Sequence, residues 1–99
     1  MKKIDIIVPC YNESENIIPL YEAIKGVFSK KLPEYSYSLI YVNDGSTDKT
    51  AEILDELALH YPKLRVVHLA ENQGKAYALR AGAMVSQHEF LICIDGDAL

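Results

Sequence analysis

Long apolar runs are missing from this chain of 99 residues. No stretch approaches the roughly 18 apolar residues of a membrane span. The opening "MKKIDIIVPC" has two lysines and a short apolar run, but only Ile6, Ile7 and Val8 are contiguous before Pro9. A secretory leader needs roughly 7–15 apolar residues, so no leader is expected and the chain is read as cytoplasmic. A basic excess is missing too: 10 Lys and Arg stand against 14 Asp and Glu, a net charge of −4. That leaves no electrostatic footprint for nucleic acid. The seven tyrosines are scattered, not interleaved with Lys or Arg, and form no base-stacking platform. Cysteine is scarce. Cys10 and Cys93 each lie in an apolar, strand-like context and are read as reduced core residues, with a disulfide as the lesser alternative.

Several catalytic signatures are absent. There is no G-x-G-x-x-G after the first apolar run and no Walker A lysine motif, which speaks against dinucleotide and P-loop chemistry. There is no G-x-S-x-G elbow. His60, His68 and His88 do not fall at metal-ligand spacing and are read as structural or exposed. Cys10 has no paired histidine to make it a nucleophile.

What is present is alternation of short apolar runs and amphipathic segments in a chain of one-domain length. "IDIIVPC" (4–10), "YSLIYVN" (37–43), "LRVVHLA" (64–70) and "EFLICID" (89–95) read as strands covered on both faces,. Between them, Ile17, Leu20, Tyr21, Ile24, Val27 and Phe28 recur at helical spacing, with Ser14 as the expected N-cap,. Ala51, Ile53, Leu54, Leu57, Ala58 and Tyr61 make a second helical face, capped by Ser46 or Thr47. "KAYALRAGAMVSQ" (75–87) makes a third helix, whose Ala78, Ala81 and Gly82 allow close approach to a sheet. The order β-α-β-α-β-α-β predicts an α/β, three-layer, mainly parallel four-stranded sheet with helices on both faces and right-handed crossovers. Ligands of such sheets bind outside the carboxyl ends of the strands. The residues to weigh are therefore Pro9–Glu13, Asp44–Ser46, Glu71–Lys75 and Asp95–Asp97.

Each of these has a plain and a sharp reading. Asp95 and Asp97 flank Gly96; the pair is either a solvated turn or two carboxylates sharing a cation. Asp44 in "NDGS" either starts a turn or accepts an N–H from a ligand such as a nucleobase. Glu13 is a first-turn acid or a ligand contact. Tyr11 packs half-buried or stacks on a flat ring. Lys75, at a helix start, is solvated or sits near a phosphate with helix N-terminal amides helping.

Taken in order and spacing, "IIVPCYNESENI", "YVNDGSTDKT", "ENQGKAYALRAGA" and "CIDGDAL" resemble the N-terminal, nucleotide-sugar-binding half of the inverting family 2 glycosyltransferases, which have the GT-A fold. The resemblance covers essentially the whole chain. It implies that Pro9, Tyr11 and Glu13 line the nucleotide pocket, that Val42 and Asp44 hold the base, and that Asp95, Gly96 and Asp97 form a D-x-D motif. There Asp95 and Asp97 would hold Mg2+ or Mn2+ against the diphosphate. Lys75 is carried as a further nucleotide-sugar candidate. The first two motifs are similar to polyisoprenyl-phosphate glycosyltransferases, the last two to poly-β-1,6-N-acetylglucosamine synthases. The polyprenyl type more often has D-A-D-L-Q where this chain has "DGDAL". The implied donor is a UDP-sugar; the implied acceptor of the full-length protein is a lipid phosphate or a glycan, at the cytoplasmic face of the membrane. The implied catalytic base is a carboxylate in the second half of the fold. The chain stops two residues past Asp97, so it is expected to be truncated before that base and inactive alone. Its fourth strand, left at an edge, is expected to pair with a second copy as a homodimer. The rival readings are a non-catalytic nucleotide-binding or regulatory α/β module and a flavodoxin-like or receiver-like module.

Overall fold

The computed structural model describes residues 2–87 and 90–97. His88, Glu89, Ala98 and Leu99 lie outside them, and with them the expected start of the fourth strand and the end of "DGDAL". The elements run β1 (Lys2–Cys10), α1 (Ile17–Lys31), β2 (Tyr35–Asp44), α2 (Thr50–His60), β3 (Leu64–Leu69), α3 (Lys75–Met84) and β4 (Phe90–Cys93). All strand pairs are parallel, in the order β3-β2-β1-β4. The carboxyl ends of the four strands, Cys10, Asp44, Leu69 and Cys93, therefore share one edge.

Two apolar clusters sandwich the sheet. Ile6, Val8, Leu39 and Tyr41 on one face meet Ile17, Leu20, Ile24 and Phe28 of α1 and Leu54 of α2. Ile7, Ile40 and Val42 on the other face meet Ala78 of α3. β1 and β2 are buried on both faces along Ile4–Cys10 and Leu39–Asp44, which is why their apolar runs are continuous rather than alternating. Each such Ile or Val contributes roughly 1.5–3 kcal/mol by leaving water. The small residues of α3 serve as expected: a Cβ at Gly82 would meet the Ile7 side chain at 2.6 Å.

Pro9 sits inside a strand flanked on both sides, where a missing donor is ordinarily costly. Residues of a parallel strand point their N–H and C=O to one neighbour. Ile7 and Pro9 face the β4 side, where their carbonyls accept from Ile94 N (3.0 Å) and Gly96 N (3.1 Å). The β1–β4 register ends at Ile7 opposite Cys93, so Pro9 lies beyond the paired stretch of that ladder. On the opposite half of β1, Asp5 is fully buried and its carboxylate accepts from Ser38 Oγ, Ser86 Oγ (2.7 Å) and Gln87 N (2.9 Å). It ties β1 to β2 and to the exit of α3, away from the carboxyl edge.

Three local expectations differ. α1 starts at Ile17, not Ser14, because residues 13–16 form a turn closed by Asn16 N on Glu13 O, and Ser14 N donates instead to Asp48 Oδ2. α2 starts at Thr50 with Asp48 before it; Asp48 Oδ1 accepts Thr50 N at 2.9 Å, the role given to Ser46 or Thr47. Desolvation opposes ionisation of Asp48, but hydrogen bonds from Thr50 and Ser14 outweigh it and hold the carboxyl below its usual range. Cys93 is exposed rather than core, because β4 is the edge strand; Cys10 is buried, and both thiols are free.

Candidate functional site

An open cleft of about 290 Å3 lies across the carboxyl edge of the sheet. Pro9, Cys10, Tyr11 and Glu13 reach it from β1, Asp44 from β2, Asn72, Gly74 and Lys75 from the β3–α3 turn, and Asp95, Gly96 and Asp97 from the end of β4. Every candidate named from the sequence lines it except Val42. That side chain is fully buried beneath α3, 3.1 Å from where a Gly82 Cβ would lie. Cys10, Asn72 and Gly74 line the cleft without having been singled out as site residues. The stretches Pro9–Glu13 and Glu71–Lys75 were marked as strand exits to weigh, and that position was the signal for Cys10, Asn72 and Gly74.

The rim of the cleft is held by contacts between loops that are distant in sequence. Asn12, at φ +52°, lies in the left-handed region that asparagine tolerates better than most residues,. From there its backbone N–H donates to Ser46 Oγ (2.9 Å), and its Oδ1 accepts Thr47 N (2.8 Å) and Asp48 N (3.3 Å). Glu13 N donates to Thr50 Oγ1 at 3.0 Å. Next to it, Asn43 Oδ1 accepts Ser46 N, Asn43 Nδ2 lies 3.0 Å from His68 Nδ1, and His68 Nε2 lies 2.7 Å from Asp55 Oδ1. With Asn43 donating to Nδ1, the imidazole carries its proton on Nε2 toward Asp55. His68 is thus structural, as its spacing suggested.

Asp44 is only 4% exposed. Its Oδ1 accepts Gln73 N (2.8 Å); its Oδ2 accepts Gly74 N (3.0 Å) and Asn72 Nδ2 (3.2 Å). The carboxylate therefore clamps the turn that leads into α3. Gln73 N and Gly74 N, just before this helix, are thus given to Asp44. Gly45 is what lets the loops meet so closely: it takes φ +67°, and a Cβ would fall 2.3 Å from Asn72 N.

At the other side of the cleft, the chain leaves its extended course after Cys93, so Asp95 and Asp97 are carried on a turn rather than on a strand. Gly96 is buried at its centre; a Cβ would sit 2.8 Å from Pro9 O and 3.0 Å from Cys10 Sγ. The glycine lets the turn press against β1, while both carboxylates stay exposed at the cleft. Lys75 Nζ lies 2.5 Å from Asp95 Oδ1. That hydrogen bond, joined by the charges of Asp95 and Asp97 and opposed by desolvation, holds the ammonium above its usual range. The seat thus takes a cation, but two carboxylates are few ligands. Among the described residues no cluster of three or more His, Cys, Asp or Glu could hold a metal ion. A hard divalent ion bound by one or two carboxylates needs further oxygens from a substrate, as Mg2+ does with phosphates. The donor set fits that kind of ion.

The family model described as Glycosyl transferase family 2 matches residues 5–99. The chain belongs to glycosyl transferase family 2. It is 36% identical over 94 residues to a dolichyl-phosphate β-glucosyltransferase, ALG5C, of Trichomonas vaginalis, covering 92% of this chain and 28% of that protein. It is 36% identical over 96 residues to a poly-β-1,6-N-acetyl-D-glucosamine synthase of Staphylococcus epidermidis, covering 97% of this chain and 22% of that one. Both types suggested by the motifs are therefore among its relatives, and the chain spans about a quarter of their length. Among solved structures, S. aureus TarS 1–349 in complex with UDP-GlcNAc superposes with a TM-score of 0.79 at 26% identity, over 98% of this chain and 27% of that one. The mannosyltransferase PcManGT from Pyrobaculum calidifontis, in complex with GDP-Man and Mn2+, gives 0.76 at 28% identity, over 95% and 27%. The parallel sheet with helices on both faces is thus the GT-A, Rossmann-like arrangement of this family. Among the described residues no helix of this glycosyltransferase domain is long and apolar enough to cross a membrane.

Proposed function

We propose that the cleft binds a nucleoside diphosphate sugar, a UDP-sugar in the first instance, together with Mg2+ or Mn2+, as the donor site of an inverting glycosyl transfer to a lipid phosphate or a glycan. The observation that carries this is the convergence of Tyr11, Glu13, Asp44, Lys75, Asp95 and Asp97 on one cleft at the carboxyl edge of a parallel sheet. Similar structures in complex with UDP-GlcNAc and with GDP-Man and Mn2+ support it.

The roles follow from placement. Tyr11, about half exposed on the rim, offers a ring face for a base,. Asp44 shapes the base end by holding residues 72–74 in place, and Val42 acts there only through the core. Asp95 and Asp97 seat the divalent ion, and Gly96 keeps them on a turn pressed against Pro9. The ion, when bound, supplies a Lewis acid for the charge that gathers on the departing diphosphate. The acceptor base is assigned to a carboxylate outside these residues, at the cytoplasmic face of a membrane in the whole protein. We place the expected homodimer at the outer edge of β4, which among the described residues pairs only with β1 and exposes Leu91 and Ile92.

Titration calorimetry with UDP in the presence of Mn2+ tests the donor site. Saturable binding that Asp97→Ala weakens at least tenfold is expected. No saturation at millimolar UDP would refute the reading, and equal affinity in the variant would remove Asp97 from the metal seat. Binding without any transfer would favour the non-catalytic alternative only if the full-length protein is also inactive.

A further inference from the structure

Lys75 and Asp95 join opposite walls of the cleft. Lys75 is the first residue of α3, and its backbone position is set by the hold of Asp44 on Gln73 and Gly74. Its side chain crosses to the turn after β4, where Nζ meets Asp95 Oδ1 at 2.5 Å. Asp95 is one of the two carboxylates assigned to the divalent ion. A divalent ion held at about 2.0–2.1 Å by the seat carboxylates would stand close to the ammonium, and the like charges repel. The group free to yield is the Lys75 side chain, 60% exposed on a flexible stem,.

Where the ammonium can go is limited. Of the carboxylates lining the cleft, Asp44 already accepts three hydrogen bonds from residues 72–74. Asp97 belongs to the same seat, so a second cation there meets the same repulsion. Glu13 stands on the β1 side. A diphosphate entering the cleft is a new anion of higher charge within reach of the α3 start.

We infer that Lys75 is a built-in counter-cation of the Asp95–Asp97 seat, displaced by the divalent ion and handed on to the diphosphate, so that metal and nucleotide bind cooperatively and the metal alone binds poorly. The inference rests on the nucleotide-sugar reading above. It differs from a plain lysine–phosphate contact in one respect: the same side chain opposes one ligand and favours the other. Coupling of this kind is reciprocal, and coupled sites commonly differ by 5–150-fold.

Mn2+ binding to the 99-residue chain, followed by the electron paramagnetic resonance of free Mn2+, reads the first half. UDP titration at saturating Mn2+ reads the second. Lys75→Met is expected to bind Mn2+ alone roughly tenfold more tightly than the wild type and UDP with Mn2+ roughly tenfold more weakly. Lys75→Arg, which keeps the charge, should leave Mn2+ alone as weakly bound as in the wild type. Unchanged or weaker Mn2+ binding in Lys75→Met would overturn the inference, even if UDP binding falls, because Lys75 would then be only a phosphate ligand. Absence of any UDP binding to the wild type would instead overturn the nucleotide reading and the hand-over with it. In that case the Mn2+ arm still decides whether Lys75 competes for the seat. Circular dichroism of the variant guards against misfolding.

Discussion

Replacing Asp44 with alanine removes one acceptor group and strands three donors: Gln73 N, Gly74 N and Asn72 Nδ2, now 2.8–3.2 Å from its oxygens. A hydrogen bond to a charged group contributes about 1.5–3 kcal/mol, and a donor left buried costs about 1–3 kcal/mol. Asp44 itself is 4% exposed, but Asn72 and Gln73 are exposed and can turn to water once the carboxylate is gone. We therefore take about 1 kcal/mol per bond, or about 3 kcal/mol in all. That is a large share of the 5–15 kcal/mol that holds an ordinary domain together. With a urea slope of about 1.5 kcal/mol per M, the midpoint should fall by about 2 M. Asp44→Asn keeps the shape and one acceptor oxygen and should lose about half as much. UDP affinity in the presence of Mn2+ should fall with Asp44→Ala, since the turn holding Asn72 and Gly74 in the cleft loses its anchor. A stability loss below about 0.5 kcal/mol, with UDP binding sharply reduced, would refute the clamp and return Asp44 to the role of a direct base ligand.

Two other outcomes are expected. Burial, with the Glu13 charge adding, pushes the Cys10 thiol up to about 12, whereas Cys93 is exposed. In the native chain at neutral pH a thiol reagent should therefore label one cysteine quickly and the second only after denaturation; two fast thiols would place Cys10 outside the core. Sedimentation at micromolar concentration should show self-association through β4, weakened by Leu91→Lys on its exposed surface, a gatekeeper charge of the kind natural edges carry,. A folded monomer would refute that pairing.

The order of elements and the parallel sheet were legible because each rests on local periodicity. Continuous apolar runs such as "DIIVPC" require cover on both faces, and the three- and four-residue spacing in α1 and α2 requires one buried stripe. The carboxyl edge as the place of the site was legible for the same reason: parallel strands put all their exits on one side. The starts of α1 and α2 were misplaced by two or three residues, while that of α3 at Lys75 was read correctly. The side chains that define them, Asn12 and Asp48, bond across 34–36 residues of sequence, and no local pattern records that.

By itself the sequence determined which residues stand at the strand exits: Pro9 to Glu13, Asp44, Gly74 and Lys75, and Asp95 to Asp97. Tertiary structure alone decided what each of them faces. Val42 and Asp44 both stand at the end of the second strand, yet Val42 packs under Gly82 while Asp44 is spent on the α3 turn. Cys10 and Cys93 occupy similar apolar contexts, yet one is in the middle of the sheet and the other on its edge. Lys75 and Asp95 are twenty positions apart and unrelated by any period, yet they form an ion pair. The physical reason is common to all three. Period and composition record whether a residue is inside or outside, which is a one-dimensional property of its own segment. The partner of a polar group depends on which segments the sheet order places side by side, and that is settled only when the whole chain has folded.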